Sequence, residues 1–186
     1  MSSGALVLEG ARYAQPLRWL YQHYSEHEPQ PLLRRTPYAE IAEFGAIMVP
    51  ADEGSTLRDA WWQGEARLRS AVWLETALPP DQLFNVLQRR LRIHTPDGRE
   101  CWLRLGDGGS LRQAWLAGAQ WPAGFWHGVT GVWLQHDETP IRAWSNETPE
   151  VDCAPADKGL AAQITLDWPL LQALTLNTDS HEEAHA

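Results

Sequence analysis

The sequence predicts a single domain of the α/β class, with α+β as the alternative, built on a mixed β-sheet with flanking amphipathic helices and two hairpins. Short apolar runs alternate along the chain with segments whose apolar residues recur at helical spacing. Two further stretches carry turn-forming residues between apolar runs. The 186 residues suffice for one sizeable core. We expect residues 1–145 to form the main domain, and 146–186 to hold a linker, a helical segment and a disordered tail.

The first half of the chain predicts three strands and three helical segments. The apolar run 5–8 indicates a buried first strand. Pro16 opens a helix, because a proline at the first helical position loses no hydrogen bond. Residues 36–45 indicate a short helical turn that Gly45 ends. The remaining elements are strands at 47–49 and 71–74, with an amphipathic helix over 57–68 between them.

The second half predicts the strongest helix and both hairpins. Apolar residues repeat at helical spacing over 83–91. Residues 96–98 (PDG) mark a hairpin turn, and a second hairpin is expected around 138–140. Ser110 can cap the helix that follows the first hairpin, and Asp167 can cap a last helix. Strands that alternate with helices, together with hairpins, lead to the predicted fold class.

Composition narrows the classes of partner. The net charge of -9 argues against a duplex nucleic-acid binder, which would carry a basic surface. No apolar stretch approaches the roughly 20 residues that span a bilayer, and the first residues lack a cationic secretory signal. Cys101 and Cys153 lie far apart and follow no metal-ligand spacing, which fits a protein of the reducing cytoplasm. We therefore expect a cytoplasmic protein with no membrane association and no cofactor.

The tail raises the alternative of a zinc-dependent hydrolase. His181, Glu182 and His185 form an H-E-x-x-H pattern, in which two histidines bind zinc and the glutamate acts as a base. A working site also needs a rigid helix and a third ligand. Only Ala186 follows in this sequence, and residues 177–180 break the apolar stripe. We therefore expect a solvated tail and no metal.

A glycine-rich loop at 106–109 also lacks a catalytic signature. It lies between a predicted strand and a predicted helix, where backbone N–H groups can bind phosphate. However, the loop carries Asp107 and no lysine, so a tight turn is the better interpretation. No Gly-x-Ser-x-Gly elbow occurs in the sequence. We expect that the protein is not an enzyme.

Three segments together resemble a known family. Residues 36–45 (TPYAEIAEFG), followed by the apolar run 47–49, are similar to a Thr-Pro-Tyr-x-x-Leu-x-x-x-Gly-Pro stretch before a strand. Residues 5–12 (ALVLEGAR) resemble an apolar strand followed by Asp-Gly-Ala-Arg, and 103–112 resemble a Leu-Arg-x-x-Asp-Pro-x-x-Leu-Arg segment. This order resembles the adaptor/chaperones of the bacterial type VI secretion system (TEC/Tap-like proteins), first catalogued as a domain of unknown function.

The resemblance runs from about residue 5 to about residue 135 and has three departures. Glu9 stands where the family has Asp, and Ala46 and Gly108 replace two frequent prolines. These three substitutions change the residues at local turns but leave the order and spacing of the segments intact.

The resemblance implies a non-enzymatic role. Such proteins bind one effector in the cytoplasm and help to load it onto the VgrG spike, sometimes through a PAAR tip. Residues 1–145 would then be the adaptor/chaperone domain. Gly45, Arg104 and Asp107 match the family segments and are expected to be structural. Asp107 should accept backbone N–H groups at the start of the next helix, and Arg104 should be partly buried against a carboxylate.

The 11 tryptophans divide into core and candidate contact residues. Three in strand-like runs are expected in the core: Trp73, Trp102 and Trp133. Trp62 follows a core-facing Trp61 on one helix and is expected to point outward. Trp121 and Trp126 lie in an irregular loop, where contact residues gather. We predict that Trp62, Trp121 and Trp126 bind the partner, or alternatively that they pack under the domain's own loops. Exposed tryptophans also leave open a small-ligand or glycan-binding module.

Overall fold

The computed structural model describes residues 3–175 and shows an α+β domain. Its strands are β1 (Gly4–Glu9), β2 (Gln30–Pro31), β3 (Ala46–Pro50), β4 (Val72–Thr76), β5 (Arg92–His94), β6 (Glu100–Trp102), β7 (Val129–His136) and β8 (Thr139–Ser145). Six of them form one sheet in the order β2-β3-β1-β4-β7-β8, and β5 and β6 form a separate hairpin. All these pairs are antiparallel. Among residues 3–175, parallel pairing occurs as the isolated bridge between His94 and Thr165. The predicted fold class is confirmed in its α+β form, with both hairpins.

Within residues 3–175, five α-helices flank the sheet. They are α1 (Pro16–His23), α2 (Thr56–Trp62), α3 (Pro80–Gln88), α4 (Gly108–Leu116) and α5 (Trp168–Thr175). Three short 3-10 helices cover Gly10–Arg12, Ala39–Phe44 and Ala66–Leu68. The α4 helix begins earlier than expected, because Asp107 and not Ser110 is its N-cap.

The central strand β1 is buried on both faces and separates two cores. Ala5 and Val7 face a large core under α3, α4, α5 and the β5–β6 hairpin, whereas Leu6 and Leu8 face a smaller core under α1 and α2. Successive side chains of a strand point to opposite faces, so one apolar run supplies both cores. The continuous run in the sequence is thus explained by helices on both sides of the sheet.

The segment after residue 145 packs against the larger core. Ala154, Leu166 and Leu170 are almost fully buried in it. Asp167 caps α5 by accepting a hydrogen bond from the Leu170 N–H at 2.9 Å. The expected division at residue 145 remains a prediction about domain organisation, but the described part of 146–175 shares the core of the preceding residues.

One buried arginine attaches this segment. The Arg90 side chain is 0 % exposed and donates to the backbone carbonyls of Val86, Gly124 and Phe125. It also donates to the Asp152 carboxylate at 2.6 Å. Burial acts to raise the pKa of Asp152, but the Ala154 N–H and the Arg90 guanidinium hold it below its usual value. The positive charge of the buried Arg90 is therefore balanced by the negative charge of Asp152.

We expect Arg90→Met to destabilise the protein by about 3–5 kcal/mol, because it leaves Asp152 and the carbonyls without their buried donor. The measurement is the free energy of unfolding in denaturant. Arg99→Met is the matched control, since Arg99 is 72 % exposed at a hairpin tip. A loss for Arg90→Met no larger than that of the control would contradict the structural role.

Candidate functional site

Exposed apolar side chains gather around one groove. The described residues expose eight large hydrophobic side chains, and four of these line the groove: Tyr38, Ile41, Phe44 and Trp102. The groove lies between the 3-10 helix Ala39–Phe44 and strand β6, and its volume is about 280 Å³. Its ionisable lining residues include the buried Glu9 and the exposed Arg104. We call this site the apolar groove.

The spacing of three residues explains the first wall. A 3-10 helix has three residues per turn, so side chains three apart lie above one another on one face. Tyr38, Ile41 and Phe44 follow this spacing and are 39 %, 54 % and 45 % exposed. Ala42 lies on the opposite face and is buried. In the 3-10 conformation these three apolar side chains therefore share one exposed face. In an α-helix the same residues would spread over a wider arc.

Gly45 ends this helix through close packing and not through a left-handed conformation. Its φ is -91°, and its N–H donates to the Ala42 carbonyl at 3.2 Å. A Cβ added at Gly45 would lie 3.0 Å from the Leu33 Cδ1. The helix therefore ends at Gly45, as predicted. The reason is the close approach to Leu33 and not the left-handed C-cap conformation that a glycine commonly adopts.

Trp102 forms the second wall and corrects a prediction. It was expected in the core, but it is 46 % exposed and makes an edge contact with Tyr38, with ring centroids 5.2 Å apart. Strand β6 has neighbours on one side only, and its alternation packs Cys101 against the core. Trp102 consequently points outward.

Polar contacts between β1 and the loop before α4 hold the base of the groove. Glu9 accepts a hydrogen bond from the Gly106 N–H at 3.1 Å. Asp107 is 0 % exposed and accepts from the Ser110 N–H at 3.2 Å, from the Ser110 hydroxyl at 3.0 Å and from Arg12 at 3.0 Å. We call Glu9, Arg12, Gly106 and Asp107 the carboxylate junction. It joins residues 95 positions apart in the chain.

Arg104 is half-buried against a carboxylate, as expected, although it is not the closest partner of that group. Arg104 lies 3.6 Å from the Asp107 carboxylate but keeps 51 % of its side chain exposed. The closer partner of Asp107 is Arg12. Arg104 follows Leu103, which is buried in the core, and so turns toward the groove.

The pKa values of the two carboxyl groups of the junction are shifted in opposite directions. Burial raises the pKa of Glu9 to about 7, and its hydrogen bond from Gly106 and the nearby Arg104 offset only part of this effect. Burial acts in the same sense on Asp107, but the Ser110 N–H and Arg12 hold the pKa of Asp107 below its usual value. Asp107 thus remains charged near neutral pH, whereas Glu9 is close to half ionised.

Two of the three predicted contact tryptophans lie in a separate aromatic cluster. Trp126 is 6 % exposed, which corrects its assignment as a contact residue, because a buried ring offers no area to a partner. Trp121 is half-buried and stacks on Phe125, with centroids 4.5 Å apart. Both line a cavity of about 130 Å³, smaller than typical ligand sites of about 300–1,000 Å³. Trp121 and Trp126 therefore pack under the domain's own loops, the stated alternative.

Trp62 lies on the other face of the sheet and is half-buried. Its ring lies 4.9 Å from that of Trp133, and the Arg58 guanidinium lies 3.9 Å above it. Trp62 is therefore not turned fully outward, and the structure does not bring the three predicted contact tryptophans together.

His181, Glu182 and His185 lie outside the described residues. Within residues 3–175, no group of three or more His, Cys, Asp or Glu side chains could hold a metal ion. No helix in the same range is long and apolar enough to cross a bilayer.

Comparison with known proteins finds one family. A family model described as "Domain of unknown function (DUF4123)" matches residues 6–121, more than half of the chain. Among curated proteins and solved structures, no match to this chain was found. The matched segment contains both walls of the apolar groove and the carboxylate junction.

We expect Glu9→Gln to change how stability depends on pH. Because the folded state raises the Glu9 pKa from 4.5 to about 7, this carboxyl group contributes stability that is complete below pH 4.5 and is lost as the pH rises through 7. The loss amounts to up to about 3 kcal/mol. As the pH rises from about 5 to about 8, the unfolding free energy of the variant should therefore increase relative to that of the wild type. Unfolding free energies that stay parallel over this range would contradict the assignment.

We expect Asp107→Ala to cost at least about 2 kcal/mol, because it removes an N-cap and the buried acceptor of Arg12. Arg104→Ala should cost less than about 1 kcal/mol, since that ion pair is half-exposed. Thermal and denaturant unfolding of both variants test this order. A larger loss for Arg104→Ala would restore Arg104 as the structural partner.

Proposed function

Since the chain belongs to the DUF4123 family of domains of unknown function, we propose that it is a non-enzymatic adaptor/chaperone. In this proposal it binds a cognate type VI secretion effector in the cytoplasm and helps to load it onto the VgrG spike, with or without a PAAR protein. The resemblance of residues 5–12, 36–45 and 103–112 to such adaptors supports the role. The observation that carries it is the apolar groove, which lies within the family match.

The groove suits a protein partner because no segment of residues 3–175 covers its apolar walls. Contiguous apolar surface on a soluble domain marks interaction sites. Peptide grooves commonly take the apolar face of a partner helix or an extended segment. Among the described residues, the exposed walls come from the 3-10 helix Ala39–Phe44 and the edge strand β6. A client segment that fills the groove would bury Ile41, Phe44 and Trp102 together.

The chemistry of the groove fits binding better than catalysis. Catalytic sites gather several convergent polar groups within hydrogen-bond reach. Here the lining is mainly apolar, and its carboxyl group, Glu9, accepts a hydrogen bond from the Gly106 N–H. The proposal of a binding protein rests on this arrangement and on the family resemblance.

Co-expression tests the proposed function. The protein is produced together with the product of the neighbouring open reading frame, and the soluble fraction of that product is measured with and without the chain. An adaptor/chaperone should keep its effector soluble and should co-purify with it and with VgrG. Unchanged solubility together with no complex would count against the role.

We expect Ile41→Asp and Trp102→Ala to weaken effector capture at least about tenfold, because each removes an exposed wall of the groove. Leu116→Asp and Trp168→Ala are matched controls, since Leu116 is 54 % and Trp168 is 42 % exposed and neither lines the groove. Binding is measured by titration and folding by thermal melts. Equal effects of groove and control variants would remove the groove as the binding site.

A further inference from the structure

The apolar groove contains a buried carboxyl group with unused hydrogen-bonding capacity. Glu9 is 6 % exposed, and one of its oxygens accepts from the Gly106 N–H. Within residues 3–175 its carboxylate has no other hydrogen bond and no ion pair. The nearby cations Arg12 and Arg104 pair with Asp107 instead. A carboxylate can accept several hydrogen bonds, and burying one without a partner is costly.

Three aromatic side chains line the same groove. Tyr38, Phe44 and Trp102 line it together with Glu9. The faces of aromatic rings attract cations, and the Arg92 guanidinium already lies 5.3 Å from the Trp102 ring centroid. Tyr38 and Phe44 leave further aromatic surface near the Glu9 carboxylate for a second cation. The aliphatic stem of a lysine or arginine can pack on apolar surface while its charged end reaches a polar group. The groove therefore offers surface for both parts of a basic side chain.

We infer that the apolar groove binds a lysine or arginine side chain presented by an apolar segment of the effector, with the cation at the Glu9 carboxylate and its stem against the aromatic lining. The inference rests on the proposed function, because it names the chemistry of the segment that the same groove would take. The net charge of -9 favours a basic partner segment at longer range.

The charged groups around Glu9 allow a pH signature. Arg12, Arg104 and Asp107 face it from the 3-10 helix Gly10–Arg12 and from the loop before α4. Glu40 and Glu43, on the 3-10 helix Ala39–Phe44, line a different surface. On β6, Glu100 is paired with Arg92 at 2.5 Å. The pKa of Asp107 is held below its usual value, whereas the pKa of Glu9 is raised to about 7, so Glu9 is the carboxyl group whose charge changes near neutral pH.

Binding of a cation should release the Glu9 proton. Because the pKa of Glu9 in the free protein is about 7, the group must ionise before it pairs. Affinity should therefore rise by about tenfold between about pH 6 and pH 8. A partner that accepts a hydrogen bond from the protonated acid would show the opposite dependence.

In the experiment, a library of displayed random peptides is selected for binding to the wild-type protein. The same selection is run in parallel on the Glu9→Gln and Ile41→Asp variants. Glu9→Gln is a close match, because an amide oxygen can still accept from the Gly106 N–H. We expect peptides from the wild type to carry a lysine or arginine among apolar residues. We expect Glu9→Gln to lose the basic preference and Ile41→Asp to lose the peptides altogether. Leu116→Asp should behave as the wild type.

The most enriched peptide is then measured by titration at both pH values, with its basic residue replaced by norleucine as the comparison. A loss of about tenfold with norleucine at the higher pH, absent in Glu9→Gln, supports the pairing. Peptides without basic preference, equal binding by Glu9→Gln, or no enrichment over Ile41→Asp would each overturn it.

Co-expression of the same variants with the effector separates this inference from the proposed function. If Ile41→Asp abolishes effector capture and Glu9→Gln does not, the groove remains the effector site and the cation pairing fails. If peptides show the Glu9-dependent basic preference and no groove variant affects the effector, the cation site stands and the adaptor role of the groove fails.

Discussion

The buried Asp107 carboxylate fixes the loop before α4 against the end of β1, and the groove depends on this attachment. Its hydrogen bonds from Ser110 start the helix, and its ion pair with Arg12 joins that start to the turn after β1. The backbone must approach closely for this to happen. A Cβ at Gly106 would overlap the Leu8 backbone, and one at Gly108 would lie 2.7 Å from the Ser70 carbonyl oxygen. Gly106 therefore lets this loop lie against the end of β1, and Gly108 lets the start of α4 lie against the segment before β4.

The same strand end positions the opposite wall of the groove. The Gly10 N–H donates to the Gly45 carbonyl at 2.8 Å, which holds the 3-10 helix Ala39–Phe44 against the turn after β1. A side chain at Gly10 would collide with the Glu43 carbonyl. Glu9 thus lies between two attachments, one to each wall. The groove therefore follows from how the 3-10 helix Ala39–Phe44 and the loop after β6 are both fixed to the end of one strand.

The sequence predicted much of the frame and little of the site. Apolar runs, helical periodicity and the turn at 96–98 are local signals, and they predicted most of the strands and helices and both hairpins. They did not predict β2, and the helix expected over 57–68 is divided into α2 and the 3-10 helix Ala66–Leu68. The pairing of Arg12 with Asp107 is not local, and no pattern announces it. Trp102 was misplaced because an apolar residue in a strand is ambiguous until the edge and the covered face are known. The three-residue spacing of Tyr38, Ile41 and Phe44 was visible, but it indicates an exposed face only once the segment is known to be a 3-10 helix.

Stability alone does not account for a carboxyl group at position 9. A glutamine there could accept the same hydrogen bond from Gly106 without the cost of ionising a buried acid. The structure instead places an acid whose pKa is about 7 where aromatic side chains meet solvent. Asp107, its neighbour in the junction, already provides the anchoring charge through Arg12. The acid at position 9 is thus surplus to the fold, and its remaining hydrogen-bonding capacity faces the groove in which a partner would bind.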